Sequence, residues 1–286
     1  MLANTPPRIY SQTVLIRAVG PSPERGGPER GGYELMRVWL ALLACGMALF
    51  LITAPPRAAD SDGAHNELYR GIYLKIIPAD PDVKSDIPLV DSDHALKTIK
   101  SAIDLIYERS PFNAKTLDLL KKRGDIVIIY DPGFPEWSRG DVTLAAFLPD
   151  FFEAAEGAPG ETVFVAILGR YIIKHSPAEI AAEGIVHELV GHGVQHMHGR
   201  LQNLNGLNVE CEASLYELQA FQDLGVDKFT GHMVRFRREL EEHHCDDFKR
   251  FMRKRKPWLM PLWDELDVDV VQLLSIFDEY LAQLPK

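Results

Sequence analysis

His187-Glu188-Leu189-Val190-Gly191-His192 decides how this chain is read, together with Glu210-Cys211-Glu212-Ala213-Ser214, which begins eighteen residues after His192. Two imidazoles, an adjoining carboxylate and a second acidic segment are the donor set of a zinc ion, Zn2+. Zinc takes neutral nitrogen and carboxylate oxygen ligands in a tetrahedron, and a catalytic site leaves one corner for water, whose pKa falls toward neutrality. The expectation is a zinc metallohydrolase, a metallopeptidase, acting on a peptide or protein substrate.

The two histidines are five residues apart. On a regular α-helix that separation turns them about 140° away from each other. Both reach one ion only if the helix widens locally into a π-type turn, a distortion frequent at functional sites. Gly191, inside the gap, lowers the cost by removing a side chain.

The string HELVGH is similar to the HExxGH signature of the dipeptidyl peptidase III family. That resemblance implies His187 and His192 as metal ligands, Glu188 as the general base and Glu210 as the third ligand. It spans roughly residues 185–220, and the family's dipeptide-releasing specificity is not carried over. The second segment also resembles the wider glutamate-zincin pattern, ExxA followed by Asp, Ser or Asn, which Glu210, Ala213 and Ser214 match in turn.

Glu210, Ser214 and Glu217 fall at i, i+4 and i+7 and share a helical face. Ser214 is therefore expected to orient a metal-bound histidine. Glu212 points about 200° from Glu210, so one of the two, and by the pattern Glu210, reaches the ion. An undistorted helix would instead present Glu188, His192 and His196 as a stripe, which fits a structural or regulatory metal site without a base. Beside the enzyme therefore stands a second reading, a non-catalytic, metal-stabilised binding or scaffold protein. For a donor to the developing oxyanion, Tyr171, Tyr216 and His232 lie in the right part of the chain, although packing or surface exposure is the simpler role of each. In His243-His244-Cys245-Asp246-Asp247, only His243 and Asp247 share a regular helical face, which reads as a solvated surface.

The chain has 286 residues, 46% of them hydrophobic, and a net charge of −10. That suffices for one sizeable domain with extensions. The first 59 residues carry six arginines and three glutamates, so residues 60–286 keep 25 basic and 38 acidic residues, a balance of −13. Such acidity argues against nucleic acid as a partner, since phosphate binding needs basic surface. Residues 1–35, with Pro-Glu-Arg-Gly-Gly written twice, read as a low-complexity extension, and Met36 as an alternative start. Residues 36–59 read as a signal peptide cleaved near Ala59, hence an exported, periplasmic or secreted protein, or else as an uncleaved anchor associating with a membrane through residues 38–53. Cys45 is a weak lipidation candidate because apolar residues continue past it. Cys211 and Cys245 remain after cleavage, and an oxidising compartment would allow them to pair.

A strand is expected over residues 68–77, helices over 92–108 and 114–122, and strands over 126–130, 143–148 and 162–168. Ser176-Pro177-Ala178-Glu179 reads as a capping box opening a helix to about His198. A second helix runs from Gly206 to about Leu224, closed by Gly225. Charged and apolar helices follow, with an aromatic turn at 256–263 that covers a core. Residues 142–148 are the candidate edge strand beside the metal. The fold class is thus α+β and zincin-like, with a small mixed sheet, an active-site helix and a helical C-terminal half, all within residues 60–286.

Overall fold

A computed structural model of the chain describes residues 14–18, 65–79, 90–134, 142–148, 162–175 and 177–284. The signal or anchor at 36–59, Cys45 and Ser176 lie outside the described residues. Among the described residues no helix is long and apolar enough to cross a membrane.

The fold is mixed α+β with a small sheet and predominantly helical content. Its centre is built from two continuous apolar runs, β4 (Gly124–Asp131) and β6 (Thr162–Gly169), paired in parallel from Gly124 opposite Thr162 to Asp131 opposite Gly169. Parallel strands buried on both faces read as unbroken hydrophobic sequence. Ile126, Ile128, Tyr130, Phe164, Ala166 and Leu168 belong to the main core, whereas Val127, Ile129, Val165 and Ile167 form a smaller apolar cluster with Phe134, Ala146 and Leu148.

The expected strand over 68–77 is instead a hairpin of β2 (His65–Tyr69) and β3 (Ile72–Ile76). Arg70 and Gly71 both take positive φ, 49° and 76°, the two-residue turn that matches strand twist. β3 then pairs in parallel with β4. On the other side β5 (Val142–Phe147) runs antiparallel to β6. β5 is not the edge of the full chain. β1 (Val14–Ala18), an apolar stretch within the extension read as low complexity, pairs antiparallel with it and satisfies its outer backbone groups. The six-stranded order is β1-β5-β6-β4-β3-β2.

Helix α1 (Ser92–Arg109) is capped by Asp91, whose side chain accepts from the His94 amide, and buries Ala95, Ile99, Ala102, Ile103 and Ile106 as expected. Pro111 both ends that helix region and opens α2 (Pro111–Lys121), three residues earlier than the sequence suggests. A short helix not anticipated, α3 (Arg170–His175), follows β6. The next helix is continuous in three parts: α4 (Ala178–Ile185), a π turn over Val186–His192, and α5 (Gly193–Met197). Pro177 sits at its cap position without a side-chain bond, in place of the capping box.

Helix α6 (Gly206–Leu224) joins two cores, with twelve of its nineteen residues buried, and so is the central helix of the fold. Tyr216, Ala220 and Leu224 pack into the sheet-bearing core, while Cys211, Leu215, Leu218 and Phe221 pack into a second one. The second core also takes residues from α7 (Gly231–Glu239), a π turn at Leu240–His244, α8 (Asp246–Arg255), a 3-10 segment at Pro257–Asp264 and α9 (Val270–Leu281). In the aromatic turn Trp263 is buried against this core, whereas Trp258 is exposed. Cys211 and Cys245 form a disulfide that ties α6 to the start of α8.

Candidate metal centre

The five-residue histidine spacing is met by the π turn it demands. Hydrogen bonding from residue i to i+5 over Val186–His192 brings His187 and His192 to one side of the helix, with ring centroids 4.9 Å apart. His187, Glu188 and His192 each offer a ligand atom within 4.8 Å of the others, and all three are buried. The turn also lets α6 come close. A Cβ on Gly191 would lie 2.6 Å from Ala213 Cα and 2.7 Å from its Cβ. Gly191 and Ala213 are therefore the contact that brings α6 against the histidines.

From α6, Glu210 borders the site: its Oε2 lies 3.4 Å from His187 Nε2, within ion-pair range but without hydrogen-bond geometry, and it stands outside the tight group of His187, Glu188 and His192. Zinc–ligand bonds of 2.0–2.2 Å set the edge of a tetrahedron at about 3.4 Å, so these two atoms are spaced as ligands of one ion. His192 Nε2 and Glu188 Oε2 are 4.0 Å apart. The Nδ1 atoms are held from behind. His187 Nδ1 bonds Glu217 Oε2 at 2.8 Å, and His192 Nδ1 bonds Gln195 Oε1 at 2.9 Å. Gln195 in turn donates to the Val209 carbonyl of α6. Fixing one ring nitrogen selects the tautomer and aims the other at a metal. The aimed atoms, His187 Nε2 and His192 Nε2, are buried without a hydrogen-bond partner, as are both Glu188 oxygens. Buried polar atoms normally find partners, so unpartnered atoms on three residues grouped within 4.8 Å fit a cation.

The electrostatics agree. Three carboxylates, Glu188, Glu210 and Glu217, surround the two rings, and among the described residues their ion pairs are with histidine only. Burial disfavours a charged His187, yet the charge of Glu217, the close approach of Glu210 and the hydrogen bond to Glu217 push its pKa well above the usual value. Burial and then His187 lower His192 to about 4. Burial lifts Glu188 to about 8, opposed by His187, supported by Glu210 and Glu217, and weakly lowered by the backbone of Phe147 on β5. Burial works to raise Glu210, but the close approach of His187 and the charges of His187, His192 and His244 bring it below the ordinary value.

The other expected residues separate. Glu212 is buried in an ion pair with Arg200 at 2.6 Å, on the opposite side of α6 from Glu210. His196 lies against the rings of Phe147 and Phe164, which leaves the Glu188-His192-His196 stripe undrawn. Ser214 does not orient His187 or His192: its Oγ contacts His244 Nδ1 at 3.3 Å, in the second π turn, while Glu217 takes the expected role on His187. Tyr216 stacks on Phe112, His232 packs against Phe221, and Tyr171 is partly exposed. The residues missed are Gln195, which holds His192, and His244. Burial lowers the pKa of His244, with Glu210 and Glu239 opposing and His187 and His243 adding to the shift, so it lies in the field of the centre. Its signal in sequence was adjacency to Cys245, whose disulfide partner Cys211 adjoins Glu210.

An apolar cleft lined by Leu218, Phe221, Val226, Phe229, Met233 and Leu266 lies among the C-terminal helices and shares no residue with this cluster. No family model matches the chain, and no curated protein or solved structure matches it.

Proposed function

We propose that this chain is a zinc-dependent hydrolase of the zincin type, a metallopeptidase that cleaves peptide bonds. The observation that carries this reading is the pair of buried imidazoles, each with Nδ1 fixed by a partner and Nε2 unpartnered and turned inward. His187, His192 and Glu210 would hold the ion, and Glu217 and Gln195 would orient the two rings. Bound there, zinc supplies a Lewis acid for a carbonyl and lowers the pKa of water.

Glu188 is the proton carrier. It sits one residue from the first ligand, has both oxygens unpartnered, and is held by burial near the neutral range at about 8. A positive charge beside it favours the ionised form, which accepts a proton from water and returns it to the leaving nitrogen. In a chain reduced to residues 60–286, β5 would lose β1 and present a free edge next to Phe147, and an extended peptide could pair there through its backbone. The disulfide supports an exported reading, with residues 36–59 as the signal or anchor, because such bonds persist in oxidising compartments. The acidic balance supports a protein or peptide partner over nucleic acid.

One observation favours the second reading, a metal-stabilised binding or scaffold protein: Glu188 and His192 are fully buried, and structural zinc sites are closed. Glu188→Gln separates the two. Metal content should stay at the parent level while hydrolysis of a peptide library is lost, and full activity in that variant would remove Glu188 from its role. Metal binding without turnover in the parent would favour the scaffold.

A further inference from the structure

The second π turn carries a second cluster. Glu239, His243 and His244 each offer a ligand atom within 4.8 Å of the other two, and among the described residues this is the one such group besides that at the first π turn. The cause is the same in both. On a regular helix Glu239 and His243, four apart, share a face, but His244, five from Glu239, points about 140° away. Winding Leu240–His244 as a π turn, closed by the Cys245 amide on the Leu240 carbonyl at 2.8 Å, brings His244 round to the other two.

Three further observations separate this group from an ordinary charged surface. Three of the neighbouring carboxylates are taken, Glu241 by Arg237 and Lys249 and both Asp246 and Asp247 by Arg250, while the fourth, Glu242, is exposed. Asp247, the sequence-based partner for His243, is thereby engaged elsewhere. Glu239, by contrast, has its ion pair with His244 alone, Oε1 to Nε2 at 3.9 Å. Next, the His244 ring is fixed from behind, Nδ1 facing Ser214 Oγ at 3.3 Å, so that Nε2 is the atom turned to Glu239. That is the arrangement by which a second partner orients a metal-ligating histidine. Finally, the disulfide from Cys245 anchors the turn to α6 at Cys211, on the same helix as Ser214.

We propose that Glu239, His243 and His244 form a second, exchangeable site for a divalent transition metal of the zinc class, completed by water. Two imidazoles and one carboxylate are a borderline donor set that suits zinc over calcium or magnesium, which take oxygen. The ligands are partly exposed, Glu239 at 39% and His244 at 23% of the side chain, so the ion exchanges with solvent more readily than one at the buried centre. The inference does not depend on hydrolysis, nor on the first centre being filled.

The test is equilibrium dialysis of the full chain against zinc sulfate, with elemental analysis of the parent and of His243→Ala, Glu239→Gln and His192→Ala. The first two should each bind one equivalent fewer than the parent and still bind whatever the His187 centre takes, which His192→Ala reads separately. His243 is exposed and Glu239→Gln keeps the side-chain shape, so both variants should fold, as circular dichroism would verify. Parent stoichiometry in both variants would overturn the site, and loss in only one of them would overturn the three-residue ligand set.

Discussion

Replacing Gly191 by alanine tests the contact on which the centre rests. The added Cβ would meet Ala213 Cα at 2.6 Å and its Cβ at 2.7 Å, against about 3.5–4.0 Å for ordinary carbon contacts. Helix α6 must therefore retreat by about 1 Å. Overpacking of this kind costs about 1–3 kcal/mol, and about 1 kcal/mol returns because alanine is the better helix former. The net loss in the metal-free protein is thus at most about 2 kcal/mol, a fall in Tm of a few degrees at about 2–4 °C per kcal/mol for a chain of this size. The metal should suffer more. Glu210 rides on α6 three residues before Ala213, and its 3.4 Å separation from His187 Nε2 already equals the zinc tetrahedron's edge of about 3.4 Å. Moving it outward by a comparable distance should weaken zinc by at least the roughly 10–100-fold typical of disturbed supporting shells. Chelator competition would measure that affinity and scanning calorimetry the Tm. Gly206→Ala is the control, since it lies on the same helix with nothing within 4 Å of the new methyl. A zinc affinity for Gly191→Ala within twofold of the parent would refute the reasoning.

Glu217→Gln keeps a hydrogen bond to His187 Nδ1 but removes its charge, and zinc affinity should fall about 10–100-fold by chelator competition. Glu183 should make stability depend on pH. Burial, reinforced by Glu217 and Glu179, raises its folded pKa to about 9, above an unfolded value near 4.3. The folded state therefore holds the extra proton, and stability falls as pH rises from the unfolded value toward the folded one. Glu183→Gln should accordingly match the parent at low pH and exceed it at pH ~8 by at least about 1 kcal/mol, as thermal melts across pH would report. Breaking the disulfide, with a sequence separation of 34, as Cys211→Ser with Cys245→Ser, should cost about 2–4 kcal/mol of stability, read by urea unfolding under oxidising conditions.

Much of the architecture was legible because period alone dictates it. The five buried positions of α1 recur at helical spacing, and β4 and β6 are apolar runs too short and too β-branched for helices. The hairpin at Arg70-Gly71 was hidden inside residues 68–77 because the residues on both sides of the turn are strand formers. Gly71 was the available signal. For the centre, the HELVGH spacing carried its own structural demand, and the π turn meets it. What a face could not say was which of its members bonds to what. Ser214 and Glu217 share a face with Glu210, but the rotation of α6 against the π turn gives Glu217 to His187 and Ser214 to His244. That rotation follows from packing at Gly191 and Ala213, a long-range contact with no local sequence mark.

The two π turns explain why His187 was found and His244 was not. A regular helix separates residues five apart, so a functional pair at that spacing is visible only when the chemistry of both members is already suspected. His187 and His192 are identical in kind, and a glycine lies between them. Glu239 and His244 differ in kind and stand among eight other charged or imidazole-bearing residues from Arg235 to Asp247, a context that reads as solvent-facing. The ion pairs help to distinguish them, because Arg237, Lys249 and Arg250 take Glu241, Asp246 and Asp247, Glu242 is exposed, and Glu239 pairs with the histidine. Charge-rich helices are therefore better read by asking which acid pairs with a histidine in place of a lysine or arginine than by counting acids, and in this chain that question leads from a surface to a candidate ligand.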